Sequence, residues 1–110
     1  MAYDEALADR IRELVAGESG LEERMMFGGL SILVNGNLAV AASGQGGLLA
    51  RVDPSDSEQL VKTTRAEEMV MRDRPMRGWL RLDSTDVAGD ALAEWVERGL
   101  AFARSLPPKR

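Results

Sequence analysis

The dipeptide Asn35-Gly36 constrains this chain more than any other feature, because it joins two apolar runs through residues that tolerate the two positive φ angles of a type I′ turn. Before it, Leu30, Ile32 and Val34 alternate with Ser31, Leu33 and Asn35, the two-residue period of a strand. After it, Leu38 to Ala42 forms the returning strand. A hairpin this tight commits the fold to antiparallel pairing, since parallel neighbours need a long crossover. The loop Ser43-Gly44-Gln45-Gly46-Gly47 leads on to a further strand over Leu48 to Val52, which extends the hairpin into a meander.

Helical periodicity flanks and interrupts this sheet. Tyr3, Leu7, Ile11, Leu14 and Val15 recur at three- and four-residue steps behind the potential cap Asp4, and Gly17 and Gly20 end the helix. Asp53-Pro54 opens a short helix in which Ser55-x-x-Glu58 offers a capping box and Leu60 and Val61 face the core. Met69 and Met71 then share one face of a strand, Arg72 to Gly78 turns the chain, and Leu80 and Leu82 share a face of another. The longest helix is expected from about Asp90 to Ser105. Its stripe of Leu92, Trp95, Val96, Gly99, Phe102, Ala103 and Leu106 is stopped by Pro107-Pro108 ahead of a basic tail.

The expected order is helix, three or four strands, helix, two strands, helix. That is an α+β, two-layer fold with helices on one face of an antiparallel sheet. With 110 residues and no linker or repeat, the chain reads as a single domain over 1–110 with its core between about 5 and 106.

Absent residue types narrow the chemistry. The chain has no cysteine and no histidine, which removes thiolate nucleophiles, disulfides, Cys/His zinc sites, imidazole bases and the serine–histidine triad. Asp53, Asp56, Glu67, Glu68, Asp83, Asp86 and Asp90 stand beside helix starts or turns, where capping accounts for most of them. No catalytic residue, cofactor or metal is expected. The formal net charge of −4 repels polyanions, so nucleic acid is a disfavoured partner and an anionic membrane surface is not expected. The acidic start Met1-Ala2-Tyr3-Asp4-Glu5 does not read as an export signal, and the expected location is the cytoplasm.

Three features invite a functional reading. Gly28-Gly29 lacks the lysine, the hydroxyl residue and the following helix of a phosphate loop, and reads as a strand bend. Met25, Met26, Met69 and Met71 stand at strand spacing and read as core, while Met76 lies in a charged stretch and reads as exposed. The strongest local anomaly is basic: Arg72, Arg74, Arg77 and Arg81, with Met76 and Trp79 between them, form a candidate binding surface in an acidic chain. Pairing of these arginines with Glu67, Glu68, Asp73 and Asp83 is the favoured structural explanation of the same cluster.

The run Arg24-Met25-Met26-Phe27-Gly28-Gly29-Leu30 with its Val34-Asn35-Gly36-Asn37 turn resembles the N-terminal domain of the TfoX/Sxy family. Ala50-Arg51-Val52, the stretch Arg74-Pro75-Met76-Arg77-Gly78-Trp79 and the segment Ala93 to Leu100 agree with it. The resemblance implies a secretion-chaperone-like α+β fold, α-β(3)-α-β(2)-α. Named members of that family regulate natural competence and carry a second, C-terminal domain, and this chain reads as a stand-alone version of the first. The expected function is a non-catalytic regulatory or protein-binding module, with another protein as partner, as a monomer or homodimer. The alternative is a small-anion or nucleic-acid-binding module that uses the Arg72 to Arg81 segment.

Overall fold

The computed structural model describes residues 3–26 and 28–108. Phe27 and the basic tail residues Lys109 and Arg110 lie outside them. The elements run α1 (Glu5–Val15), β1 (Leu21–Met26), β2 (Gly29–Val34), β3 (Asn37–Ala42), β4 (Leu48–Arg51), α2 (Pro54–Thr63), β5 (Glu67–Met71), β6 (Arg74–Leu82), a 3-10 turn (Ser84–Val87) and α3 (Asp90–Ser105). The six strands form one sheet in the order β1-β2-β3-β4-β6-β5 with every neighbour antiparallel. The α+β arrangement expected from the sequence is therefore present, with four strands before α2.

The strand least visible in the sequence is β1, whose Glu22, Glu23, Arg24 and Met25 are all exposed. An edge strand rich in charge lacks the apolar alternation that marks a half-buried strand, and its charges discourage pairing with another chain. Gly28, at φ +77°, belongs to the connection between β1 and β2, so the glycine pair starts a strand after a turn and does not bend one. Asn35 and Gly36 adopt φ values of 53° and 83°, as the hairpin reading requires.

Arg72 and Asp73 form a second turn of this kind, with φ values of 54° and 65°. The expected turn over Arg72 to Gly78 is thus only two residues long, and Arg74 to Gly78 already belong to β6. Neither turn residue is glycine, so the composition carried no strong turn signal, although aspartate is among the residues that tolerate a positive φ.

Asp4 caps α1 by accepting from the Leu7 N–H at 3.1 Å. The buried stripe of α1 is Leu7, Ala8, Ile11 and Val15, and Leu14 points outward. These residues join Leu30, Ile32, Val34, Val40, Leu48, Ala50, Leu80 and Leu82 of the sheet and Leu92, Trp95, Val96 and Leu100 of α3 in one core. Arg10 fastens α1 to the approach of α3 by donating from Nη2 to the Val87 carbonyl at 3.1 Å. Phe102 on α3 and Leu106 just past its end are only half-buried, and Leu100, not expected there, joins Ala103 on the inner stripe.

A register shift in β2–β3 sets α3 against the sheet. Leu33 pairs with Leu38 and Ile32 with Val40, which leaves Ala39 as the extra residue of a bulge. Gly99 of α3 sits directly on that bulge, where any side chain would run into the Ala39 carbonyl.

The face of the sheet away from the helices is also partly closed. Leu38, Ala41 and Leu49 form a second small cluster under Met69 and Trp79. Met26 from one edge strand and Met69 from the other line the same cavity of about 60 Å³ on this face. The methionines expected as core divide accordingly: Met25 is 60% exposed, whereas Met26, Met69 and Met71 are half-buried. Met26 and Met69 border the face of the sheet away from the helices and not the helix-covered core.

Proline at the first position opens α2, but its cap is Asp53, which accepts from the Ser55 N–H at 2.9 Å and the Ser55 hydroxyl at 2.8 Å. The expected Ser55–Glu58 capping box does not form, because Ser55 already donates to Asp53 and Glu58 pairs with Lys62. The Ser55 N–H, and then its hydroxyl, hold the Asp53 carboxyl below its ordinary pKa. A carboxyl depressed in the folded state contributes stability above its unfolded pKa of about 3.9 and loses it as pH falls through the folded value. Asp53→Ala is expected to lower the melting temperature at about pH 6, and the gap to the parent should close as pH falls below about 4. Paired thermal melts across that range check it; a gap independent of pH would remove the charged cap from the account.

Candidate functional site

The basic segment nominated by the sequence is divided by the fold. Along β5–β6, Glu68 pairs with Leu80 but its neighbour Met69 pairs with Met76, so Arg77, Gly78 and Trp79 bulge out of register with β5. Arg72 and Arg74 are exposed at the hairpin tip, and Met76, expected in an exposed loop, is half-buried opposite Met69. Arg77 turns toward α2 and donates to the Pro54 carbonyl at 3.3 Å. Trp79 and Arg81 lie half-buried farther along β6, where Arg81 donates to Gln45 Oε1 at 2.7 Å and to the Gly46 carbonyl at 3.3 Å. The six residues therefore do not converge on one patch.

The expected pairing with nearby acids also takes another form. Among the described residues, no carboxylate lies within 4.0 Å of Arg72, Arg74, Arg77 or Arg81; Arg77 and Arg81 use neutral oxygens. Glu68 instead accepts from the buried Ser57 hydroxyl at 2.9 Å, and Ser57 Oγ in turn accepts the Gly78 N–H at 3.2 Å. One serine thus ties α2 to β5 and to the β6 bulge.

Gly78 explains why the bulge sits there. Its φ of +85° suits glycine, and a side chain at this position would press on the Val52 carbonyl and Pro54. The Gly78 carbonyl accepts the Val52 N–H at 2.8 Å, bringing Trp79 beside the end of β4.

There Trp79 faces Arg51, its cross-strand partner. The Arg51 guanidinium lies 4.9 Å from the centre of the Trp79 ring and 5.3 Å from that of Phe102 on α3. Partial burial lowers the Arg51 pKa below its ordinary value, but a guanidinium stays charged at any physiological pH. The cation over Trp79 is therefore a strand residue outside the nominated segment. An arginine flanked by the buried positions Ala50 and Val52 was the available sequence signal.

Beside this cluster a groove of about 640 Å³ separates α2 from α3. Val52, Leu60, Ala101 and Phe102 supply its apolar surface, and Asp53 and Asp56 stand at the first turn of α2. Arg98 borders the groove from α3, with its guanidinium 4.6 Å from the centre of the Trp95 ring and 4.0 Å from Glu94. α2 packs along β6, where Ser57 is its one buried residue, while Leu60 and Val61, expected to face the core, are only partly buried against it.

A family model described as the TfoX N-terminal domain matches residues 13–103 of the 110-residue chain. The chain belongs to this family. The match runs from the last turn of α1 into the last turn of α3 and takes in every strand and all of the groove lining but Ser105. No curated protein matches the chain. Among the described residues, no helix of this TfoX N-terminal domain is long and apolar enough to cross a membrane, and no three acidic residues gather as a metal-holding group.

Proposed function

We infer that this TfoX N-terminal domain is a non-catalytic, protein-binding module of the competence-regulator type, acting in the cytoplasm, and that the groove between α2 and α3 receives a segment of its partner. The observation that carries this reading is the half-docked α2: it leaves Leu60 facing Phe102 across an open groove of about 640 Å³. An apolar cleft with a few polar groups at its rim is the usual form of a binding site. The occupant is an apolar side chain on a partner polypeptide whose neighbouring residues meet the acids at the start of α2 and Arg98 on α3. Family membership supports the regulatory role, and the lack of histidine and cysteine supports its non-catalytic character.

A photo-crosslinking residue placed at Gln59, which lines the groove, tests it against the same residue at Glu13, exposed on α1. In cells, a discrete protein adduct is expected from position 59 and not from position 13. Adducts at both positions, or at neither, would sink the groove as the docking site.

A further inference from the structure

Arg51 is a half-buried arginine whose charge the described residues leave unanswered. Other half-buried guanidinium groups meet acceptors: Arg10 the Val87 carbonyl, Arg12 the carboxylates of Asp9 and Glu23, Arg81 the Gln45 side chain, and Arg98 the Glu94 carboxylate. Among the described residues Arg51 has no ion pair or side-chain hydrogen bond. It has only the two aromatic rings, and these interact with the face of the guanidinium while its N–H donors lie in the plane. No buried side-chain nitrogen among the described residues lacks a partner, so those donors reach the surface. A positioned and partly desolvated fork of this kind is matched to a planar two-oxygen acceptor.

We propose that Arg51, between Trp79 and Phe102, is an anchoring site for the carboxylate of a ligand whose apolar part packs beside those rings, whose faces toward Arg51 the guanidinium already covers. The net charge of −4 favours a singly charged carboxylate over a doubly charged phosphate. The ligand is a small apolar acid or the free C-terminus of a polypeptide with an apolar last residue. Phe102 also borders the α2–α3 groove but Arg51 and Trp79 do not, so a shift read at Arg51 and Trp79 reports this site and not the groove.

The test is an NMR titration of the isotopically labelled full chain with phenylacetate, following the Arg51 Nε–H and the Trp79 indole N–H. A saturable shift at both is expected, with Kd on the order of 1 mM and weaker binding as salt rises. Phenylacetamide, which keeps the ring and loses the charge, should produce no comparable shift. Arg51→Gln should raise Kd at least about tenfold with the remaining spectrum that of the folded parent, and Arg51→Lys should fall between the two. Equal binding of the acid and the amide, no saturable shift, or tighter binding of inorganic phosphate would each overturn the proposal. The acid–amide comparison uses the unaltered chain and decides even where Arg51→Gln fails to fold. A hexapeptide ending in phenylalanine assigns the source: tighter binding than phenylacetate identifies a protein terminus, and weaker binding a small acid.

Discussion

Trp95→Ala should leave much of the chain unfolded. Trp95 is 4% exposed and sits in the single core that joins α1, α3 and the sheet. Truncating a buried aromatic commonly costs about 3–5 kcal/mol, against a total stability of roughly 5–15 kcal/mol for a domain. The cavity would open beneath α3, the element that packs on β2, β3 and β4 together, so no neighbouring segment is free to collapse into it. Arg98→Ala is the comparison. Arg98 covers the Trp95 ring at 4.6 Å while its side chain remains partly exposed, and its loss should amount to about 0.5–1 kcal/mol. Urea denaturation of both variants measures the contrast; a Trp95→Ala midpoint equal to the parent's would mean that α3 is not core.

Gly99→Val should be nearly as damaging, for the opposite reason. Helix propensity alone favours replacing a glycine within α3, since Gly is about 1 kcal/mol poorer than Ala in a helix interior. Here a Cβ would run into the Ala39 carbonyl and reach within 2.8 Å of Val40 Cγ1. The backbone oxygen belongs to a bulge in the middle of the sheet and has little room to retreat. Overpacking typically costs about 1–3 kcal/mol, and valine adds two methyl groups beyond the first clashing carbon, so a loss of at least about 3 kcal/mol is expected. Gly99→Ala should lose less, because part of its clash is offset by propensity. If chemical denaturation places Gly99→Ala above the parent, the close approach of α3 to β3 is wrong.

The two variants separate what was legible in the chain from what was not. The stripe of α3 was visible because 3.6-residue periodicity survives without any knowledge of the partner surface. That Gly99 meets a bulge was not visible, since the bulge depends on how Leu33 and Val40 find their register. The same distinction applies to the candidate site. Arg72, Arg74, Arg77 and Arg81 are neighbours in sequence, and proximity along a strand suggested one patch; the irregular pairing after Glu68 sends Arg77 to α2 and leaves Trp79 and Arg81 on the other side of the sheet. Arg51, Trp79 and Phe102 come from three elements and meet only when β4, β6 and α3 are assembled.

Local chemistry by itself determined the Asn35-Gly36 hairpin, the Asp4 and Pro54 helix starts and the span of α3, because turn conformation, capping and amphipathic period act within a few residues. The absence of histidine and cysteine likewise limited the available chemistry before any fold was considered. Tertiary structure alone decided that the charged run Leu21–Met26 is a strand, because pairing with β2 supplies the hydrogen bonds its composition did not advertise. It also decided that α2 stands off from α3 to leave a groove, and that an arginine from β4 ends against two aromatic rings without a carboxylate. These are long-range outcomes: they depend on which surfaces remain after the core has closed, and no short window of sequence contains that information.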